Sequence, residues 1–277
     1  MQYAETKFKG AGGVELYSQS WRPDQTARAN LLLVHGFGEH CGRYNYLVDH
    51  LIPHGFGVYG FDLRGHGRSP GARGHINRWD DLREDVHAFV KLVTGEQQAL
   101  PHFLLGHSFG GLIALNYALQ SPEGLKGVIA SAPLLTAAKL SPIVVLISRL
   151  LLHVKSDFAV NTKIDASTVS RDPAEVQRYA KDPLMHSTGT PRLAHEIEQA
   201  QAWTMAHAGD LRIPLLLYHG GADQLVPIAG SRAFYERVTF ADKAWFEYAG
   251  GYHELHNDLD RATVFANLVR WLEAHLG

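Results

Sequence analysis

Between Phe103 and Leu115 the chain passes from a short apolar run, Phe103-Leu104-Leu105, through Gly106-His107-Ser108-Phe109-Gly110 into Leu112, Ile113 and Leu115, with Ala118 and Leu119 continuing at helical spacing. A strand that turns into a helix through one serine leaves no space for side chains two residues before and two residues after it, because a Cβ there meets neighbouring backbone. Gly106 and Gly110 satisfy that demand. The stretch therefore predicts a strand, a cramped turn with Ser108 at its apex, and a helix. It makes Ser108 the candidate nucleophile.

The Gly-x-Ser-x-Gly string is weak by itself, and a second copy stands at Gly67-Arg68-Ser69-Pro70-Gly71. No strand runs into that copy and Gly71-Ala72-Arg73-Gly74 begins no helix, so Ser69 reads as a loop serine. At 277 residues and 45% hydrophobic, the chain can bury a substantial core. Its 26 Lys and Arg are scattered against 28 Asp and Glu, which excludes a basic stripe and makes nucleic acid an unexpected partner. The single cysteine, Cys41, allows neither an intramolecular disulfide nor a cysteine metal cluster. Met1 to Gly10 holds no apolar segment of signal-peptide length and no run is long enough to span a bilayer, so a cytoplasmic protein is expected.

In order, Phe8 and Val14 to Trp21 flank Gly10-Ala11-Gly12-Gly13 as an opening hairpin, and Leu31 to Val34 is the unbroken apolar run of a strand covered on both faces. Tyr46 to His54 fits a helix, Phe56 to Phe61 a strand, Trp79 to Val93 a helix with Leu82, Val86, Phe89, Val90 and Val93 on one face, and Gly127 to Ala132 a strand after the turn at Ser108. Strands alternating with helices predict a mostly parallel sheet with helices on both faces. From residue 134 to residue 209 the alternation stops and only helices are legible, at Ser141 to Val154, Pro173 to Ala180 and Thr190 to Ala208. It resumes with a strand at Ile213 to Tyr218, a helix around Ile228 to Val238, a strand at Ala244 to Tyr248 and a helix at Asp260 to His275. The expected division is a core of residues 1–133 and 210–277 with a helical insertion at 134–209. Ser141 caps and Pro142 opens the helix 141–154, which is apolar nearly all round except for Ser148, Arg149 and His153. Such a helix is either packed between insertion and sheet or serves as a lid whose outer face meets lipid.

A serine hydroxyl attacks only when a base takes its proton, and the base needs a carboxylate to hold its tautomer. On a parallel sheet these groups leave the carboxyl ends of strands in the order Ser, Asp or Glu, His. The strand ending at Tyr218 exits to Asp223, whereas Asp210 lies at its wrong end; the strand ending at Tyr248 exits to His253 and then His256. Asp223 is the candidate acid and His253 the candidate base, with His256 as the alternative. Donors for a developing oxyanion are expected from the backbone amides of Phe109, after the serine, and Phe37, in the glycine loop His35-Gly36-Phe37-Gly38. His253-Glu254-Leu255-His256 has the wrong spacing for two metal ligands on one helical face, and Gly65-His66-Gly67 lacks the Lys-Ser/Thr ending of a phosphate loop, so neither a metal nor a cofactor is expected.

Taken together, His35-Gly36-Phe37-Gly38-Glu39-His40 with Arg43-Tyr44, Phe61-Asp62 to Gly65-His66-Gly67-Arg68-Ser69, Gly106-His107-Ser108-Phe109-Gly110-Gly111 and Tyr252-His253 to His256 resemble the monoacylglycerol lipases and lysophospholipases of the α/β-hydrolase fold. The resemblance runs from the first strand to the last helix. It implies the triad Ser108, Asp223, His253, and glycerol head-group contacts at Glu39, Arg43, His107 and His256. Its implied activity is hydrolysis of a small lipid ester, monoacylglycerol first, with a short-chain carboxylesterase or a lysophospholipase on the same triad as alternatives and a non-catalytic small-molecule receptor as the rival outside enzymes. Phe109 stands where the family usually has methionine and Phe37 where a small residue is common, which narrows the expected pocket mouth. Under the lid reading of helix 141–154, drawn from its apolar pattern, membrane contact would be peripheral.

Overall fold

A computed structural model of the chain describes residues 1–97, 99–136, 151–152 and 154–277. Strands β1 (Gln2–Lys9) and β2 (Glu15–Arg22) form the opening hairpin. Then follow β3 (Ala29–Val34), α1 (Asn45–Leu51), β4 (Phe56–Phe61), α2 (Trp79–Glu96), β5 (His102–His107), α3 (Phe109–Gln120) and β6 (Gly127–Ser131). After the middle segment come β9 (Leu215–Gly220), α6 (Ile228–Arg237), β10 (Lys243–Tyr248) and α7 (Arg261–Ala274). These eight strands make one sheet in the order β1-β2-β4-β3-β5-β6-β9-β10. Every pairing from β4 through β10 is parallel, and only the β1–β2 and β2–β4 pairs are antiparallel.

The two-faced burial read from Leu31 to Val34 is what the sheet shows. Because side chains alternate along a strand, Leu32, Val34, Leu104, Val128, Leu215 and Leu217 face one side with α2, α3 and Phe234 of α6. Leu31, Leu33, Phe103, Leu105, Ile129 and Leu216 face the other, under Leu47 and Val48 of α1 and Phe265, Leu268 and Leu272 of α7. Each buried leucine or phenylalanine contributes roughly 1.5–3 kcal/mol to keeping these layers together, and this places the carboxyl ends of six parallel strands along one rim.

The middle segment holds α4 (Pro173–Lys181) and α5 (Pro191–Ala206), each with proline in its first turn and a side-chain cap, from Asp172 and Thr190. It also holds a feature absent from the sequence reading: β7 (Val160–Asn161) pairs antiparallel with β8 (Thr188–Gly189). Strands of two residues are too short to leave a period-two signal. The expected helix 141–154 lies outside the described residues apart from Leu151, Leu152 and Val154, whose backbone is helical. β9 begins at Leu215 rather than Ile213 because Pro214 has no N–H for the ladder. The strand correspondingly extends to Gly220 and carries His219 within it. Among the described residues no helix is long and apolar enough to cross a membrane.

Candidate active site

Ser108 sits between β5 and α3 with φ 53 and ψ −116, a left-handed conformation that an L-residue adopts only under constraint. The constraint is backbone on all sides. A Cβ on Gly106 would strike the Gly110 carbonyl, and one on Gly110 would strike the carbonyls of Val34 and His35. The Ser108 amide donates to the Ser131 carbonyl at 2.9 Å, and the Ser108 carbonyl accepts from Leu112 at 3.1 Å and Leu134 at 2.9 Å. Ser69, by contrast, donates to the Asp62 carbonyl at 2.6 Å and accepts from the Tyr17 amide at 2.9 Å, so it is a buried loop serine.

His253 Nε2 lies 2.9 Å from Ser108 Oγ, and His253 Nδ1 lies 2.7 Å from Asp223 Oδ2. The structure thus brings together the three residues selected from strand exits, and brings His253 rather than His256 to the serine. The Asp223 side chain is fully buried. Burial acts to raise its carboxyl, but the His253 charge and hydrogen bonds from His219, His253 and the Val226 amide outweigh that and hold it well below the usual carboxylate range. Burial lowers His253, and the charge and hydrogen bond of Asp223, with Glu254 and Glu39 further off, more than reverse this, so the imidazole titrates above 6.5.

The loop after β3 is drawn against the serine. A Cβ on Gly36 would lie 3.3 Å from Ser108 Cβ and 2.8 Å from Glu39 Oε1. Gly38 has φ 74 and faces the His186 carbonyl with no room for a side chain, so glycine is required there. Among the described residues no acceptor takes the amide hydrogens of Phe37 or Phe109; the latter opens α3, where first-turn amides lack intrahelical partners. The two rings meet edge to face with centroids 6.4 Å apart.

Glu39 and Arg43 are both nearly closed to solvent and engaged within the protein. Glu39 Oε1 accepts from the Gly36 amide at 2.5 Å and from Tyr44 Oη at 2.8 Å, and its Oε2 pairs with Arg43 at 3.1 Å. Arg43 binds Glu254 in a two-pronged contact at 2.6 and 2.8 Å. Burial pushes Glu39 upward with Arg43 opposing, while Arg43 overcomes the same effect at Glu254 and holds it low. The ion cluster therefore joins the Phe37 loop to the His253 loop. His107 contacts both His253 and His256, each at a centroid distance of 4.8 Å, and burial holds it well below 6.5. His256 stacks on Tyr44 at 4.4 Å, burial lowers it to about 3, and its Nε2 is buried with no protein partner.

Several participants escaped the sequence reading. Glu254, which holds Arg43, carries one sequence signal, an acid directly beside the base. Asp258 accepts from the Tyr252 amide at 2.9 Å and the Arg171 amide at 2.8 Å, tying the His253 loop to the segment before α4. His35 accepts from the Leu63 amide at 2.9 Å and contacts the Gly36 carbonyl at 2.8 Å, linking two strand exits. His219, within β9, reaches Asp223 Oδ2 at 3.1 Å, and its place at a strand end is the only signal the sequence carries for it.

A mostly parallel, two-sided sheet with a serine elbow and its partners at successive strand exits is the α/β-hydrolase fold. The sequence matches the family described as serine aminopeptidase, S33 (Hydrolase_4) over residues 25–260. A monoacylglycerol lipase of Mycolicibacterium smegmatis is 34% identical over 275 residues, covering 99% of this chain and 98% of that one. The crystal structure of a Paleococcus ferrophilus monoacylglycerol lipase matches with a TM-score of 0.83 at 32% identity, over 99% of this chain and 100% of that chain. A soluble variant of the Saccharomyces cerevisiae monoglyceride lipase, solved with a substrate analogue, matches with a TM-score of 0.87 at 28% identity, over 99% and 94% of the two chains. The chain belongs to the serine aminopeptidase, S33 family and, within it, groups with the monoacylglycerol lipases. It is a lipase-like serine hydrolase.

Proposed function

We propose that the protein hydrolyses monoacylglycerol to glycerol and a free fatty acid, with Ser108 as nucleophile, His253 as general base and acid, and Asp223 as the group that orients His253. The observation that carries the chemistry is the unbroken run from Ser108 Oγ to His253 Nε2 at 2.9 Å and from His253 Nδ1 to Asp223 Oδ2 at 2.7 Å. His253 Nε2 takes the hydroxyl proton as Ser108 Oγ bonds to the ester carbonyl carbon; the carbonyl oxygen, now negative, is met by the Phe37 and Phe109 amides. Collapse expels the glycerol oxygen, which leaves with the proton from His253. Water, deprotonated by the same imidazole, then releases the fatty acid and restores Ser108.

Full-length similarity to monoacylglycerol lipases supports the substrate. The neutral imidazoles of His107 and His256, the latter with its free Nε2, are the polar wall we assign to the glycerol hydroxyls, backed by Glu39 and Arg43. We assign the cap to residues 134–209 and the core to 1–133 and 210–277, a division supported by the break in strand–helix alternation over the insertion. Val154 (86% exposed), Phe158 and Val160 are exposed apolar residues on that segment with Lys155 among them, which fits a cytoplasmic enzyme touching a lipid surface peripherally. One observation favours a second reading, a short-chain carboxylesterase: the Phe37 and Phe109 rings meet edge to face beside the two amides assigned to the oxyanion, which puts bulk next to the reacting carbonyl.

Fluorophosphonate labelling read by intact mass, followed by hydrolysis of monoacylglycerols and simple esters across acyl lengths, tests both. Labelling at Ser108 with long-chain monoacylglycerol turnover is expected; turnover of short esters alone moves the protein to the second reading. Turnover surviving in Ser108→Ala refutes the nucleophile.

A further inference from the structure

We infer that His219 is a positioning residue for this reaction, the group that sets how Asp223 faces His253; the inference rests on the triad proposed above. Asp223 Oδ1 is held by the amides of its own turn, Leu225 at 2.8 Å and Val226 at 3.0 Å. Those two bonds tether one oxygen only. Oδ2, the oxygen that meets His253 Nδ1, receives a second contact from His219 Nε2 at 3.1 Å. The carboxylate then has four donors for about four lone-pair sites, and the fourth comes from β9, an element independent of the turn.

The tautomer of His219 follows from its surroundings. Nε2 faces Asp223 Oδ2 and, also at 3.1 Å, the Val226 carbonyl oxygen; neither carries a hydrogen, so Nε2 is the protonated nitrogen. Nδ1 is then the acceptor, and the Ser231 hydroxyl on α6 donates to it at 2.8 Å. Both His219 and Ser231 are wholly buried. A chain of hydrogen bonds runs from Ser231 through His219, Asp223 and His253 to Ser108, so that strand and helix geometry is transmitted to the nucleophile. A His219 donor also moderates the basicity of Asp223, and through it the proton affinity of His253. The other groups facing His253 are Glu254, Glu39, His107 and His256, whereas the hydrogen bonds of His219 go to Ser231, Asp223 and Val226.

The test compares the full-length protein with His219→Phe and His219→Gln, measuring kcat and KM for a monoacylglycerol across pH, normalised to fluorophosphonate-reactive sites. In His219→Phe, kcat is expected to fall about tenfold with KM within about twofold, and the acid limb to move up by about half a pH unit. His219→Gln, whose amide can donate to Asp223 and accept from Ser231, is expected to recover most of both. A folded His219→Phe variant with wild-type kcat and acid limb, or a His219→Gln no better than it, overturns the inference. Should His219→Phe not fold, nitrogen-15 histidine spectra of the wild-type protein decide: His219 is expected with its proton on Nε2 and a resonance that shifts when Ser108 is phosphonylated, and a proton on Nδ1 or an unmoved resonance overturns it. Failure of the underlying triad is told apart, because it appears as turnover in Ser108→Ala or absence of labelling in the unaltered protein.

Discussion

Replacing Asp223 by asparagine keeps the shape of the side chain and exchanges one acceptor oxygen for a donor. Two of the four contacts to the carboxylate are backbone amides, from Leu225 and Val226, and these cannot change their hydrogens. The asparagine oxygen must therefore stay with them, which turns its NH2 toward His253 Nδ1 and His219 Nε2. His219 can comply only by moving its proton to Nδ1 with Ser231 accepting, which sets its bare Nε2 against the Val226 carbonyl. His253 can comply only by carrying its proton on Nε2, the atom 2.9 Å from Ser108 Oγ, where it no longer accepts the serine proton. A tautomer locked in this way costs about 10⁴ in kcat in a serine hydrolase with intact geometry, which is about 5.4 kcal/mol of barrier. The assay is steady-state hydrolysis normalised to folded protein, with thermal melting to show that Asp223→Asn folds. A folded variant whose kcat stays within tenfold of the parent refutes the argument, since Asp223 would then not be setting the tautomer.

Three further outcomes are expected. Because His253 must be neutral to accept a proton and titrates above 6.5, kcat/KM should fall as pH drops through a midpoint above 6.5, with the unprotonated form active on the alkaline side; a pH–rate profile centred below 6.5 contradicts the assigned base. Gly110→Ala drives a Cβ into the Val34 and His35 carbonyls and should lower stability by about 2–3 kcal/mol or more, read by urea unfolding, with loss of Ser108 labelling. Arg43→Met leaves Glu39 and Glu254 buried without their shared partner and should cost about 3–5 kcal/mol by the same measurement; a neutral effect would mean that the cluster does not hold the two loops.

The parts of this protein that were legible in its sequence are those written in local pattern. Leu31 to Val34 announces a strand covered on both faces because no polar residue interrupts it, and Gly106 and Gly110 announce the turn because backbone crowding admits nothing else. Chain order along a parallel sheet points to Asp223 as the acid and to His253, with His256 as the alternative, as the base, and it is the folded geometry that brings His253 to Ser108. What stayed hidden depends on residues far apart meeting in space. Arg43 finds Glu254 across 211 positions, and Asp258 finds Arg171 across 87; neither pairing leaves a period or a spacing to be read. The β7–β8 ribbon was missed for a different reason, since two residues per strand are below the length at which alternation can be recognised.

These hidden contacts share a purpose that the site geometry makes visible. Ser108 is placed by its own turn, whereas His253 lies on a loop of 3₁₀ and irregular backbone that no strand or helix immobilises. Its position is set instead from several sides: Asp223 from the β9 exit, Glu254 through Arg43 to the Phe37 loop, the Glu254 amide to the Val169 carbonyl at 2.8 Å, and Asp258 to Arg171. Two of those ties, at Val169 and Arg171, belong to the segment proposed as the cap. Hydrogen bonds thus join that segment to the loop that carries the imidazole, and the residues that connect them are charged or backbone groups whose partners only the folded chain supplies.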